Sequence, residues 1–136
     1  MQFHIVTIFP RILDSYLKES IVYRAQKSKI IEIFAHNLRE YSNDKHGKVD
    51  DTPYGGGAGM VLRVQPIYDC VKKIKEQIIN KNKTRVILFS AKGKKYTQRT
   101  AERLAKFDNL IFLFRKANVW SLLVSCASKI QQLIMP

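Results

Sequence analysis

The amino-acid sequence predicts an α/β fold built on a parallel β-sheet. Residues 86–89 and 110–114 are short, continuous apolar runs of the kind found in strands that are buried on both faces. Between them, residues 97–107 have apolar side chains at helical spacing, which predicts a strand–helix–strand unit with three residues facing inward: Ala101, Leu104 and Ala105. The length of 136 residues allows one compact domain of ordinary size.

The N-terminal residues predict a second unit of the same type. Residues 3–9 are apolar and rich in β-branched side chains, and they end at Pro10, which is favourable in the first turn of a helix. A second short helix is expected over residues 20–25, and residues 30–35 form the next predicted strand. The first helix would bury one face, made of Ile12, Leu13, Tyr16 and Leu17.

The middle of the chain contains a long irregular segment, which is followed by a predicted helix. Residues 37–59 show no periodic pattern, and a connection longer than about 12–15 residues in a compact domain is usually functional or disordered. Pro66 is expected to start an amphipathic helix, whose apolar positions are Ile67, Val71, Ile74 and Ile78.

Composition and charge narrow the functional classes. Hydrophobic residues make up 46% and charged residues 26%, which is typical of a folded globular protein. Lys and Arg number 24 against 11 Asp and Glu, so the formal charge of +13 favours a nucleic acid as partner. Two cysteines are too few for a disulfide framework. The two cysteines suit a reducing compartment, so we expect a cytoplasmic protein. No apolar run approaches the ~18 residues that span a bilayer, and the lysines do not line one face of an amphipathic helix, so we expect no membrane contact.

Four of the six glycines lie in the segment Tyr54-Gly55-Gly56-Gly57-Ala58-Gly59-Met60. Glycine allows positive φ and a close approach of the backbone to a ligand. The segment lacks the Gly-Lys-Ser/Thr of a Walker loop and the glycine spacing of a dinucleotide-binding turn. On these residues alone, a ligand-binding loop and a flexible loop without a ligand both remain open.

Polar residues flank this loop and follow one of the predicted strands. The segment 44–51 contains His46 and Asp50, which are capable of acid/base chemistry, although the same residues are common in a polar surface loop and match no standard metal site. The basic segment 90–96 follows the predicted strand 86–89, at the carboxyl edge where open α/β sheets bind ligands. His4 and His36 fall on strands and are predicted to be structural.

The motifs of the chain occur in a specific order from Met1 to about Leu113. The longest is Val49-Asp50-Asp51-Thr52-Pro53-Tyr54-Gly55-Gly56-Gly57-Ala58-Gly59-Met60, and the others are Phe9-Pro10, Arg24-Ala25, Asn37-Leu38-Arg39, Asp44-Lys45-His46, Gln65-Pro66 and Ser90-Ala91-Lys92-Gly93-Lys94. Together they resemble the bacterial tRNA (guanine-N1)-methyltransferases of the SPOUT superfamily, whose fold is a parallel sheet flanked by helices.

The resemblance implies a homodimer that transfers a methyl group from S-adenosylmethionine to N1 of the tRNA guanosine 3′ of the anticodon, guanosine 37. It implies no metal. By matching position, the residues expected to bind the cofactor are Leu88, Ser90, Lys92, Gly55, Gly56, Gly57 and Gly59. Those expected to bind tRNA are His46, Asp50 and Tyr54.

The resemblance departs from the family pattern after Leu113. Where the family continues with a Cys-Gly-Arg-Tyr-Glu-Gly-Ile-Asp type of motif, this chain has Phe114 and Arg115, so Arg115 falls where a cofactor-binding glycine is expected. We therefore expect residues 1–113 to be the N-terminal part of the methyltransferase domain and residues 114–136 to be a divergent or frameshifted tail. The trefoil-knot segment, the C-terminal helical domain and the aspartate base of the family have no counterpart in this sequence, and no catalytic residue is assigned.

A second hypothesis needs no catalysis. A basic α/β fragment can bind RNA through contacts between its lysines and the phosphates. The sequence leaves open whether this chain acts as a methyltransferase by itself or as a non-catalytic RNA-binding fragment.

Overall fold

Four parallel strands form the centre of the computed structural model, which describes residues 1–56, 59–79, 81–90 and 93–114. The strands of this sheet are β1 (Gln2–Thr7), β2 (Glu32–Asn37), β5 (Thr84–Phe89) and β6 (Asn109–Phe114), in the order β2-β1-β6-β5. Two further strands, β3 (Asp50–Asp51) and β4 (Val61–Leu62), pair in antiparallel fashion. The helices are α1 (Arg11–Leu17), α2 (Ser20–Lys27), α3 (Val64–Gln77) and α4 (Gln98–Leu104), with 3-10 helices at Leu38–Tyr41 and Lys81–Lys83.

Helices cover both faces of the sheet, as the sequence predicts. Side chains alternate between the two faces of a strand, so Val6 and Ile111 point to one face while Ile5 and Leu110 point to the other. The first face packs against α3, whose buried residues include Cys70 and Ile74. The opposite face packs against two buried leucines, Leu13 of α1 and Leu104 of α4.

Strands β5 and β6 have similar sequences but different burial. The prediction of a buried strand is confirmed for β6, which lies between β1 and β5 and has four consecutive buried residues. The same prediction is wrong for β5. Among the described residues it is the edge strand of the sheet, with β6 as its one neighbour, and Arg85 and Leu88 are exposed while Val86 packs against the core beneath α3.

Several element boundaries differ from the prediction, among them those of helices α3 and α4. Helix α3 begins at Val64, two residues before Pro66, and Pro66 is buried in its first turn, where a missing N–H breaks no helical hydrogen bond. Helix α4 ends at Leu104, earlier than expected, and its N-terminus is capped by the Thr97 hydroxyl, which accepts a hydrogen bond from the Thr100 N–H. Among the described helices, none has the length and apolar character needed to cross a membrane.

Candidate functional site

The glycine-rich segment is the tip of a β-hairpin. Asp50 pairs with Leu62 and Asp51 with Val61, so the described residues 52–56 and 59–60 lie in the connection between β3 and β4. At the base of the hairpin, Val49 is only 1% exposed, and it belongs to the core cluster beneath α3, against which Leu62 also packs. The hairpin is therefore anchored to the core at its base, and its glycines lie at the other end.

The glycines of this loop adopt backbone conformations that other residues rarely use. Gly55, Gly56 and Gly59 have φ angles of +82°, +79° and +103°. A Cβ atom at any of these three positions would have no neighbour within 4 Å. Glycine is therefore required here for backbone conformation and not for tight packing. Gly57, which is predicted to bind the cofactor, lies outside the described residues.

A second candidate segment follows the carboxyl end of β5. Leu88 is 60% exposed although it lies within the strand. Directly after the strand, the Gly93 N–H donates a hydrogen bond of 2.9 Å to the Ser90 carbonyl oxygen. A Cβ atom at Gly93 would lie 2.9 Å from that oxygen, so only glycine fits this turn. Lys92 lies outside the described residues.

The three residues predicted to face tRNA lie along the segment that leads into the hairpin loop. His46 is exposed, and its N–H donates to Asp44 Oδ1 over 2.9 Å. Asp50 is half-buried in β3, and Tyr54 is fully exposed at the start of the loop. The structure thus places these three residues on one continuous segment.

A cleft lies beside the base of the hairpin, away from the glycines. It has a volume of about 330 Å³ and is lined by Ser42, Asn43, Asp44, Arg63, Gln65 and Pro66. None of the predicted site residues within the described ranges lines it. Arg63 connects this cleft to the hairpin, because its Nε donates to Asp51 Oδ2 over 3.3 Å.

Two features of the site were missed by the sequence prediction. The segment 90–96 was interpreted as a turn, but the requirement for glycine at Gly93 was not recognised, although a glycine shortly after a strand is typical of a tight turn. Asp51 and Arg63 form an ion pair at the base of the hairpin, and nothing in their sequence spacing indicates this contact.

Two histidines on neighbouring strands of the sheet have pKa values that burial lowers. His4 Nδ1 lies 3.0 Å from His36 Nε2, and the two rings stack. Burial, together with the nearby His36, lowers the pKa of His4 to about 4. The pKa of His36 is lowered by burial and raised in part by Glu40. Both histidines belong to the sheet, as predicted.

The Cys70 thiol is also buried in the core beneath α3. Burial raises its pKa to about 11, so the thiol stays protonated and unreactive at neutral pH. Within the described ranges, no group of three His, Cys, Asp or Glu side chains is arranged to hold a metal ion.

Comparison with known proteins identifies the family of this chain. The family model described as tRNA (Guanine-1)-methyltransferase TrmD matches residues 1–118. The chain belongs to this family. The match includes the hairpin and the turn after β5, and it confirms the resemblance that the motifs indicate.

Individual relatives agree with the family match. The tRNA (guanine-N(1)-)-methyltransferase of Lachnospira eligens is 49% identical over 113 residues, which is 83% of this chain and 47% of that protein. The enzyme of the same name from Clostridioides difficile is also 49% identical, over 83% of this chain and 48% of that protein. The chain therefore spans about half the length of the curated relatives it matches.

A solved structure shows the same fold. The crystal structure of tRNA (m1G37) methyltransferase from Aquifex aeolicus matches with a TM-score of 0.78 and 25% sequence identity. The match covers 100% of this chain and 70% of that chain. The parallel α/β sheet is thus the fold of this methyltransferase family. The division between residues 1–113 and 114–136 stays a prediction, because residues 115–136 lie outside the described part of the chain.

Proposed function

We propose that this chain forms the part of a tRNA (guanine-N1)-methyltransferase that binds the methyl donor and faces tRNA. The reaction transfers a methyl group from S-adenosylmethionine to N1 of the guanosine that follows the anticodon. The observation that carries the proposal is the hairpin loop, in which Gly55, Gly56 and Gly59 hold positive φ angles with free space around them, in a chain that matches the family over residues 1–118.

The residues at the carboxyl end of β5 fit S-adenosylmethionine as a ligand. Leu88 exposes an apolar side chain that can pack against an adenine ring. Ser90 begins a tight turn that is closed by Gly93, where backbone groups can reach polar atoms of the ligand. We assign Lys92 and the loop glycines, including Gly57, to the same binding site. S-adenosylmethionine supplies the methyl group when it is bound.

The loop and the segment before it carry the proposed contacts to tRNA. Tyr54 exposes a ring on which an unstacked base can pack, while His46 and Asp50 offer polar groups for hydrogen bonds. The formal charge of +13 attracts the phosphates. With tRNA as the substrate, the proposed site of action is the cytoplasm.

The chemical step also requires removal of a proton. N1 of guanine carries a proton at neutral pH, and a base must take it as the methyl group arrives. We assign this role to no residue of this chain.

We also propose that the chain acts as a homodimer. Val64 and Tyr68 lie one helical turn apart at the start of α3 and are exposed, which supports this proposal.

Binding of S-adenosylmethionine tests the proposal directly. Isothermal titration calorimetry on the full chain should give saturable binding that Leu88→Lys weakens by at least about tenfold, because an apolar contact worth ~1.4 kcal/mol changes a Kd by that factor. Ile79→Lys is the matched control, since Ile79 is 99% exposed and precedes β5 at the opposite end of the strand. Absence of binding, or equal effects of the two variants, would contradict the proposal.

RNA binding without methyl transfer is the second candidate, and the charge of +13 favours it. The two candidates differ in their ligands. A chain that binds RNA but gives no calorimetric signal with S-adenosylmethionine would support the second.

A further inference from the structure

The adjacent aspartates of β3, Asp50 and Asp51, have different surroundings. Side chains alternate along a strand, so the two carboxylates point to opposite sides of the hairpin. Asp51 uses both of its oxygens: Oδ1 accepts a hydrogen bond of 2.9 Å from the Thr52 N–H, and Oδ2 accepts one of 3.3 Å from Arg63 Nε. One carboxylate therefore joins the residue that enters the loop to the residue that follows β4.

Arg63 is fixed to the core through its backbone. Its N–H donates a hydrogen bond of 2.8 Å to the carbonyl oxygen of Val49, a residue of the core cluster beneath α3. It also immediately precedes α3 as the N-cap residue. The Arg63 side chain therefore ties Asp51, and through it Thr52, to a rigid part of the fold.

The strand pairing alone gives the hairpin little support. Strands β3 and β4 pair through only two residues each, and so short a ladder is marginally stable without further contacts. We propose that Asp51 and Arg63 are positioning residues, which close the base of the hairpin and so hold the glycine loop in place for the methyl donor. Asp50, on the opposite side of the strand, is thereby left free for the tRNA contact proposed for it. This inference rests on the proposed function.

Because the ion pair between Asp51 and Arg63 is exposed, its effect is expected in the loop and not in the stability of the whole fold. The side chains of Arg63 and Asp51 are 38% and 55% exposed, and ion pairs exposed to this degree contribute little to global stability. Breaking the pair should therefore loosen the loop and leave the melting temperature nearly unchanged.

The test measures amide hydrogen exchange at Thr52 and Arg63 by NMR on the full chain, with each rate corrected for its intrinsic value. Asp51→Asn keeps an acceptor for the Thr52 N–H but removes the charge, and Arg63→Gln removes the opposite charge. Each should speed exchange by about two- to fivefold. The double variant should be no faster than either single variant, because both remove the same contact.

Two further variants separate charge from shape. Arg63→Lys keeps a cation within reach of Asp51 and should restore most of the protection, whereas Asp51→Ala removes both hydrogen bonds and should speed exchange on the order of tenfold. The matched control is Asp108→Asn, which breaks an exposed ion pair with Lys83 at the other end of the sheet. It should leave exchange in the hairpin unchanged.

The affinity for S-adenosylmethionine shows whether the pair positions the loop for a ligand. Asp51→Asn and Arg63→Gln should each weaken binding by about two- to fivefold, while Asp108→Asn should not. Faster exchange with unchanged affinity, unchanged exchange, or a general loss of protection throughout the sheet would each overturn the inference. If the unmodified chain binds no S-adenosylmethionine, the proposed function and the positioning role built on it both fail, while the exchange rates still show whether the pair closes the hairpin.

Discussion

The central sheet and the hairpin loop follow opposite rules. In β1 and β6, apolar side chains such as Ile5 and Ile111 are almost completely buried against helices on the two faces. In the loop, Tyr54 and the described glycines are exposed, and the glycines have free space around them. The sheet is thus determined by burial of apolar surface. The loop carries a conformational entropy penalty that packing does not explain, which is the physical ground for the binding role proposed for it.

The largest expected effect concerns the core. Ile111→Ala should lower the free energy of unfolding by about 2–5 kcal/mol, because Ile111 is 0% exposed and its removal leaves a cavity. Ile79→Ala, at a fully exposed position, should change it by less than about 0.5 kcal/mol. Urea unfolding measures both. Similar values for the two variants would mean that the core is not where the structure places it.

The second effect is a dependence of stability on pH that originates in the sheet. The pKa of His4 is lowered to about 4 from a usual value of 6.5, so between these values the unfolded chain binds a proton that the folded chain excludes. The contribution of His4 to the free energy of unfolding should therefore be fully present above about pH 6.5. It should be lost as the pH falls towards 4, with a slope of up to about 1.4 kcal/mol per pH unit. Urea unfolding at several pH values should show a smaller slope for His4→Phe. Equal slopes would exclude His4 as the cause.

The third effect should appear in ligand binding and hardly in stability. Gly56→Ala forces a side chain into a backbone conformation with a φ of +79°, at a local cost of roughly 1–2 kcal/mol. The loop should shift, so that the affinity for S-adenosylmethionine falls about fivefold while the melting temperature changes little. Gly47→Ala serves as the control, since Gly47 also has a positive φ of +63° but lies outside the loop. Equal losses of affinity would remove the special role of the glycine loop.

The smallest effect concerns RNA. If lysines such as Lys45, Lys48 and Lys94 contact phosphates, affinity for RNA should fall with added salt at a log–log slope of roughly −0.7 per contact on single strands. Substituting one of them by Gln should reduce the slope by about that amount. We expect a cognate tRNA and an unrelated RNA of equal length to bind about equally. A strong preference for the tRNA, or binding that is indifferent to salt, would contradict this expectation.

The sequence predicts the elements of the central sheet better than it predicts the hairpin. Strand β6 and helix α4 were predicted because a buried strand and an amphipathic helix leave patterns in neighbouring residues. The exposure of β5 was not predicted, because its sequence resembles that of β6 and the order of strands in a sheet is set by contacts between distant residues. The family resemblance found the glycine loop, but its motif does not indicate the hairpin beneath it.

The hairpin was not predicted because the contacts that form it leave no local pattern in the sequence. Strands of two residues are too short to show any periodicity, so β3 and β4 leave no sequence signal. The ion pair between Asp51 and Arg63 joins residues twelve positions apart, a contact that depends on the hairpin already being formed. Residues that act through tertiary contacts of this kind become visible only in the structure.

In the proposed function, the strand end and the glycine loop form one binding site. These two segments are far apart in sequence, and no atom lies within 4 Å of a Cβ placed at Gly55, Gly56 or Gly59. An NMR titration of the full chain with S-adenosylmethionine shows whether both segments contact the same ligand. We predict saturable shifts of the amide signals at Leu88 and Ser90 and at Gly55, Gly56 and Gly59, all with the same Kd. Shifts confined to one of the two segments, or none at saturating concentrations, would contradict the claim.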